Sequence, residues 1–196
     1  MSNRLAHHFA TMAYNNAWSN LRLLRACGAL SQAEFVAPRV SFFPSLKATL
    51  NHNVTVDWYY IDALERWRDG RAVNREVDRF FDPEEPFDTC AALSDAQRAA
   101  DRRLVNVCVS LHDGELEEPV AVMRRAGPQH ETVTRLLAHL FQHQIHHRGQ
   151  AHAMLAGTPV APPQIDEFFC ANEAHLRAAE LAELGLSEAL IWGGAR

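Results

Sequence analysis

Hydrophobic positions recur at helical spacing over most of the chain. Between residues 3 and 27, Ala10, Tyr14, Ala17, Trp18, Leu21 and Leu24 fall on one face, and Gly28 is a natural stop. The stretch LSQAEFVAPRVSFFPS reads as a connector with one short helical turn, ended by Pro38. Pro44 then sits at the start of a second helix, where its missing N–H costs nothing. That helix runs from about Ser45 to Trp67 and ends before Asp69 and Gly70. FDPEEPFDTC is a loop. Ala96, Ala100, Leu104, Val107 and Leu111 form the apolar stripe of a third helix, Cys90 to Leu111. After the turn HDGE, the segment EPVAVMRRAGPQHETVT resembles a small hairpin around Ala126, Gly127 and Pro128. A fourth helix spans about Thr132 to Ala156 and stops at Gly157. TPVAPPQ is not helical. Asp166 is placed to cap a last helix reaching about Glu183, followed by the short segment SEALIW. Long helices with short or medium connections and no internal repeat predict an all-α fold. The expected architecture is a four-helix bundle spanning residues 1–196 as one domain, with a small hairpin before the fourth helix and a short C-terminal helix.

Composition narrows the class. The chain has 196 residues, 47% of them hydrophobic and 22% charged, so it can bury a sizeable core and is not disordered. The formal net charge is −5, acidic and basic residues are interspersed, and Lys47 is the sole lysine. No basic face for nucleic acid is expected. The N-terminal stretch lacks a signal-peptide core, and no apolar run is long enough to span a bilayer. Cys27, Cys90, Cys108 and Cys170 are widely spaced, with no C-x-x-C pair. The expectation is a cytoplasmic protein with reduced, mostly buried cysteines.

The fourth helix carries the sequence's unusual chemistry. HLFQHQIHHRGQ places His139, His143, His146 and His147 within a dozen residues. At roughly 100° per residue, His143 and His147 stack one turn apart on the stripe of Leu136, Leu140, Ala151 and Met154. They interrupt the face that enters the core. His139 and His146 fall toward one flank, and His152 points roughly the other way, toward solvent. An uncompensated imidazole in a core is costly. Two explanations compete: the pair holds a divalent metal, or each ring bonds a backbone carbonyl or carboxylate. The spacing H-x-x-x-H alone does not choose. A third ligand has to come from a facing helix. The second helix offers one histidine, His52, on a face with Ser45, Ala48, Thr49, Val56, Tyr59 and Ala63. Alone, His52 reads as a satisfied core residue; set against His143 and His147, it is the best third ligand. Three imidazoles leave coordination positions open, as in catalytic sites. Gln144 stands where an H-E-x-x-H peptidase has its glutamate, so a metalloprotease is not expected.

Three segments together resemble the DinB/YfiT-like family of metal-dependent proteins: YNNAWSN (Tyr14 to Asn20), SFFPSLKATLNH (Ser41 to His52) and HQIHHRGQ (His143 to Gln150). They occur in the family's order, and with the late PPQIDEFF they extend the likeness over most of the chain; Asn53 departs from the apolar residue common there. The resemblance implies a four-helix bundle, usually a homodimer, with zinc or nickel held by His52, His143 and His147. It also implies kinship with thiol-dependent isomerases and transferases that use low-molecular-weight thiols. Within this frame Gly149 is expected to permit close helix approach, Arg148 to make a salt bridge, and Gln150 to hydrogen-bond a ligating imidazole. Tyr14, Trp18, Tyr59, His139 and His146 are candidates for the pocket wall or the shell around the ligands, with core packing the alternative for each aromatic. Asp57 points away from His52, to solvent or to another helix.

The functional expectation is a metal-dependent enzyme whose open site activates a water or a thiol. The reaction is hydrolysis or thiol-dependent transfer on an unknown small molecule, with Tyr59, His139, His146 or metal-bound hydroxide as the base. Two alternatives stand beside it. One is a stress-related protein that binds a metal or small ligand without catalysis, favoured if a fourth protein ligand closes the site. The other is a plain helical dimer whose histidines bind nothing.

Overall fold

A computed structural model describes residues 3–193. In chain order it contains α1 (Arg4–Gly28), a short α2 (Gln32–Val36), α3 (Leu46–Arg68), α4 (Cys90–Val109), strands β1 (Pro119–Arg124) and β2 (Gly127–Thr132), α5 (Val133–Leu155), α6 (Ala174–Glu183) and α7 (Glu188–Trp192). The fold is the expected mostly-α one. α1 packs on α4 and α5, and α3 packs on the same two, so the long helices form a ring with α1 and α3 on one diagonal. Leu64, Leu104, Leu136, Leu137 and Leu140 fill the centre, all fully buried or nearly so.

The helix starts are chemically defined. The hydroxyls of Ser45, Thr89 and Thr132 accept the backbone N–H of Ala48, Ala92 and Arg135 at 3.0, 3.3 and 3.2 Å. Each such cap contributes about 1 kcal/mol. Because Ser45 is the cap, Pro44 lies just outside α3 rather than in its first turn, and its carbonyl accepts from Arg39 N–H at 2.7 Å. The hairpin is antiparallel, with Arg124 opposite Gly127, whose φ of 110° lies in the region that favours glycine. Val120 and Val122 on β1 are buried, and β1 packs on α3.

The C-terminal expectation needs correction. Asp166 caps no helix; residues 166–170 are irregular, a 3-10 turn covers Ala171–Glu173, and α6 begins only at Ala174. Two tertiary contacts account for this. Phe168 is fully buried against Trp18, with ring centroids 5.6 Å apart. The Arg177 guanidinium donates to the carbonyls of Glu167 and Cys170 at 3.3 and 3.0 Å while pairing with Glu188 at 2.6 Å. A cap worth about 1 kcal/mol cannot outweigh the burial of a phenylalanine.

The cysteines are free. Cys27, Cys90 and Cys108 are buried as expected, but Cys170 is exposed, because it sits on the irregular segment before α6. Burial pushes the Cys27 thiol up to about 12 and Cys90 to about 11, and raises Cys108 as well, so none of these three is a ready thiolate. No helix among the described residues is long and apolar enough to cross a membrane.

Candidate metal centre

α3 and α5 face one another and bring three imidazoles together. His52 comes from α3; His143 and His147 come from successive turns of α5. Nε2 of His52 lies 3.0 Å from Nε2 of His143, and one ligand nitrogen from each of the three rings falls within 4.8 Å of the others. Two nitrogens about 2.1 Å from one ion at a tetrahedral angle stand about 3.4 Å apart, so the spacing suits a shared divalent ion. The donor set suits one too: among the described residues no carboxylate or thiolate joins the group. These three imidazoles can therefore hold a metal ion.

The electrostatics keep the rings neutral. Burial, then the neighbouring imidazoles, holds His143 down at about 3. Burial, then His147, holds His52 at about 4, and His147 is lowered by burial as well. Neutral imidazole is the form that donates a lone pair to a metal. Gln150 orients one ring: its amide oxygen accepts the Nδ1 proton of His147 at 2.8 Å, leaving Nε2 free, and its NH2 donates to Nε2 of His146 at 3.2 Å. Nδ1 of His143 is buried without a hydrogen-bond partner.

Phe43 was not singled out from the sequence, yet its ring packs 4.4 Å from His52 and 5.5 Å from His147, centroid to centroid. Phe42 lies edge-on to it and is largely exposed, so the connector before α3 supplies an apolar wall. Of the flanking candidates, His139 and His146 are exposed, with ring centroids 6.2 Å from His143 and 4.8 Å from His147 respectively. The tyrosine against His139 is Tyr60, at 5.2 Å. Tyr59 is one position nearer the His52 stripe, but its hydroxyl donates to the Met123 carbonyl and its ring packs on Phe81, so the hairpin occupies it. Trp18 packs against Phe168 with the rings tilted and donates to Glu180 at 2.8 Å, and Tyr14 is a core residue whose hydroxyl is raised by burial and by nearby Cys108. Both thus pack into the bundle core. His152 is half-buried and bonded to the Pro163 carbonyl at 3.0 Å, rather than free in solvent.

Next to the histidines lies a second polar cluster that the sequence reading did not find. Arg148 is buried and donates to the side-chain oxygens of Asn16, Asn20 (3.1 Å) and Gln144 (3.5 Å). The expected salt bridge is therefore replaced by amide contacts, because Asn16 and Asn20 stand between Arg148 and its countercharge. Their NH2 groups donate to Asp101 at 3.1 and 2.9 Å. Gln97 joins Asp101 to Asp57 at 3.2 and 2.6 Å, so of the two alternatives for Asp57 the contact with another helix holds, and the side chain is fully buried. Burial, then Asp101, raises Asp57 to about 7; burial raises Asp101 to about 6 and lowers Arg148 to about 10. All four long helices contribute, and Gln144 and Arg148 directly follow His143 and His147 in sequence. Asparagines at i and i+4 on the inner face of α1 were the available signal. Gly149 departs from its expected role: it is exposed, and a Cβ there would meet nothing within 4 Å.

Residues 1–180 match the family model described as DinB family. No curated protein matches the chain.

Proposed function

Because the chain belongs to the DinB family, we propose that it is a metal-dependent enzyme acting on a small molecule at an open three-histidine centre. One observation carries this reading: the ligand nitrogens of His52, His143 and His147 lie within 4.8 Å of one another with no fourth histidine, cysteine or acidic residue in the group among the described residues. A closed four-ligand site would speak for a structural ion; three neutral nitrogens leave room for an exogenous ligand. Zinc and nickel both suit imidazole donors. When bound, such an ion supplies Lewis-acid activation of a water or a thiol for hydrolysis or thiol-dependent transfer.

The chain's own residues do the rest. Gln150 holds His147 in the tautomer that offers Nε2. Phe43 keeps water from one side of the ligand rings. His139 and His146, exposed on the flank, are positioned to exchange a proton between a bound molecule and solvent. The buried thiols are excluded as nucleophiles by their raised pKa.

Metal content tests the reading directly. Protein prepared without a histidine tag should carry about one equivalent of a divalent ion, and His52→Ala and His143→Ala should each reduce it to background. The readout is elemental mass spectrometry, before and after equilibration with zinc or nickel. Wild-type protein that stays empty when offered either metal removes the centre and the proposed function with it.

A further inference from the structure

The sequence singled out the histidines, but one guanidinium near them also lacks an assigned role. Most buried or half-buried arginines here meet a carboxylate: Arg22 with Glu180 at 3.0 Å, Arg66 with Asp62 at 2.8 Å, Arg103 with Glu65 at 2.8 Å and Arg177 with Glu188 at 2.6 Å. Arg124, half-buried at the end of β1, has no carboxylate within ion-pair distance among the described residues. Glu131 on the neighbouring strand pairs with Arg135 at 3.3 Å and acts on Arg124 only through space, as one of the charges that raise its pKa. Arg124 is held over two aromatic rings, 5.5 Å from the centroids of both Tyr59 and Tyr60, and Nη2 donates to the Tyr60 hydroxyl at 3.1 Å.

From there a continuous path of contacts leads to the metal centre. Tyr60 meets His139 edge-on at 5.2 Å, His139 lies 6.2 Å from His143, and His143 faces His52. His139 is exposed, so solvent reaches this tract. Tyr60 lies two turns along α3 from His52, an axial rise of about 12 Å. A guanidinium has five N–H donors in a fixed fork, and only one of them is engaged by Tyr60. A lone fork of this kind matches a carboxylate, whereas a phosphate of higher charge is usually met by several cations.

We infer that Arg124, steadied by Tyr60, is a carboxylate-binding subsite of the three-histidine centre, so that the substrate carries an acid group remote from its reacting atom, some two helical turns along α3. The inference rests on the metal reading. It deepens it by naming a substrate class: an elongated small molecule with a metal-seeking or electrophilic group at one end and a carboxylate at the other. Arg124 is a specificity residue in this scheme and touches no reacting atom.

The test uses metal-loaded protein and hydroxamates, which bind open metal sites whatever the natural substrate is. Linear dicarboxylic acid monohydroxamates of increasing length are compared with their neutral methyl esters by calorimetry. The expected result is equal affinity of acid and ester at short length and about 10-fold tighter binding of the acid once the chain spans the path. Arg124→Met should abolish that preference and leave ester affinity unchanged; Arg124→Lys should retain part of it. Esters that bind while the acids gain nothing at any length overturn the subsite and leave the metal centre standing. Protein that takes up no metal, or whose loaded form binds no hydroxamate, defeats the metal reading and the subsite together. The wild-type comparison decides the matter even if a variant folds poorly.

Discussion

Arg148→Met is expected to destabilise the protein by about 3–5 kcal/mol, the cost typical of removing one partner from a buried charged network. Methionine fills much of the same volume but satisfies none of the three amide oxygens that Arg148 now serves on Asn16, Asn20 and Gln144. It also leaves Asp57 and Asp101 buried without a countercharge. Asp57→Asn should behave in the opposite way. Burial raises Asp57 from 3.8 to about 7, so the native state favours the protonated acid. Stability from such a group is fully present below the unfolded value and is lost as pH rises through the folded one. The fixed amide escapes that loss. It can also donate to the Asn53 side-chain oxygen one turn away, which like Asp57 Oδ1 is buried without a partner. Urea unfolding at pH 5 and pH 8 should therefore show Asp57→Asn gaining on the wild type as pH rises, while Arg148→Met is weaker at both. Equal losses for Asp57→Asn at the two pH values would mean that the carboxylate is ionised and needed.

This cluster also shows where reading the sequence stops. His52, His143 and His147 were legible because helical phase alone puts two of them on a buried stripe, and one facing helix offers a third. The same phase argument put Arg148 off that stripe, which is correct, but expected a salt bridge where the fold has buried amide contacts. α5 packs against α1 as well as α3, so its second face is also interior. The polar positions of the first motif, Asn16 and Asn20, were given no role beside Tyr14 and Trp18. In the fold the amides form the bridge to Asp101, and the aromatics are core. Tyr59 was preferred to Tyr60 by its angle to His52, and nothing local reveals that a hairpin some sixty residues later covers it (64 apart at the Met123 bond). Asp166 failed as a cap for the same kind of reason, since the burial of Phe168 is a tertiary fact. Local pattern fixes elements and faces; which of two inward faces meets which partner depends on packing order around the bundle.

Metal binding should be visible as stability. An ion that binds the folded state alone adds RT ln(1 + [M]/Kd), about 4 kcal/mol at a thousandfold excess over Kd, or about 10 °C in Tm for a chain of this size. His52→Ala and His143→Ala should melt at the same temperature with and without added metal, although each loses little packing as a half-buried side chain. The pH dependence has a definite sign. His143 at about 3 and His52 at about 4 lie below the ordinary 6.5, so as pH falls the unfolded chain takes up protons that the native rings refuse. The metal-free fold is thus at full strength above pH 6.5 and weakens as pH drops toward 4 and 3. His143→Ala removes one of those refusals, so its acid loss should be shallower than the wild type's. A bound ion steepens the dependence, because protons must now displace it from the same nitrogens. Melting curves with and without zinc, taken from pH 8 to pH 4, should converge at the acid end for the wild type and coincide throughout for both alanine variants. A metal-induced rise that survives in His143→Ala would place the ion on other histidines of the chain and separate it from the centre formed by α3 and α5.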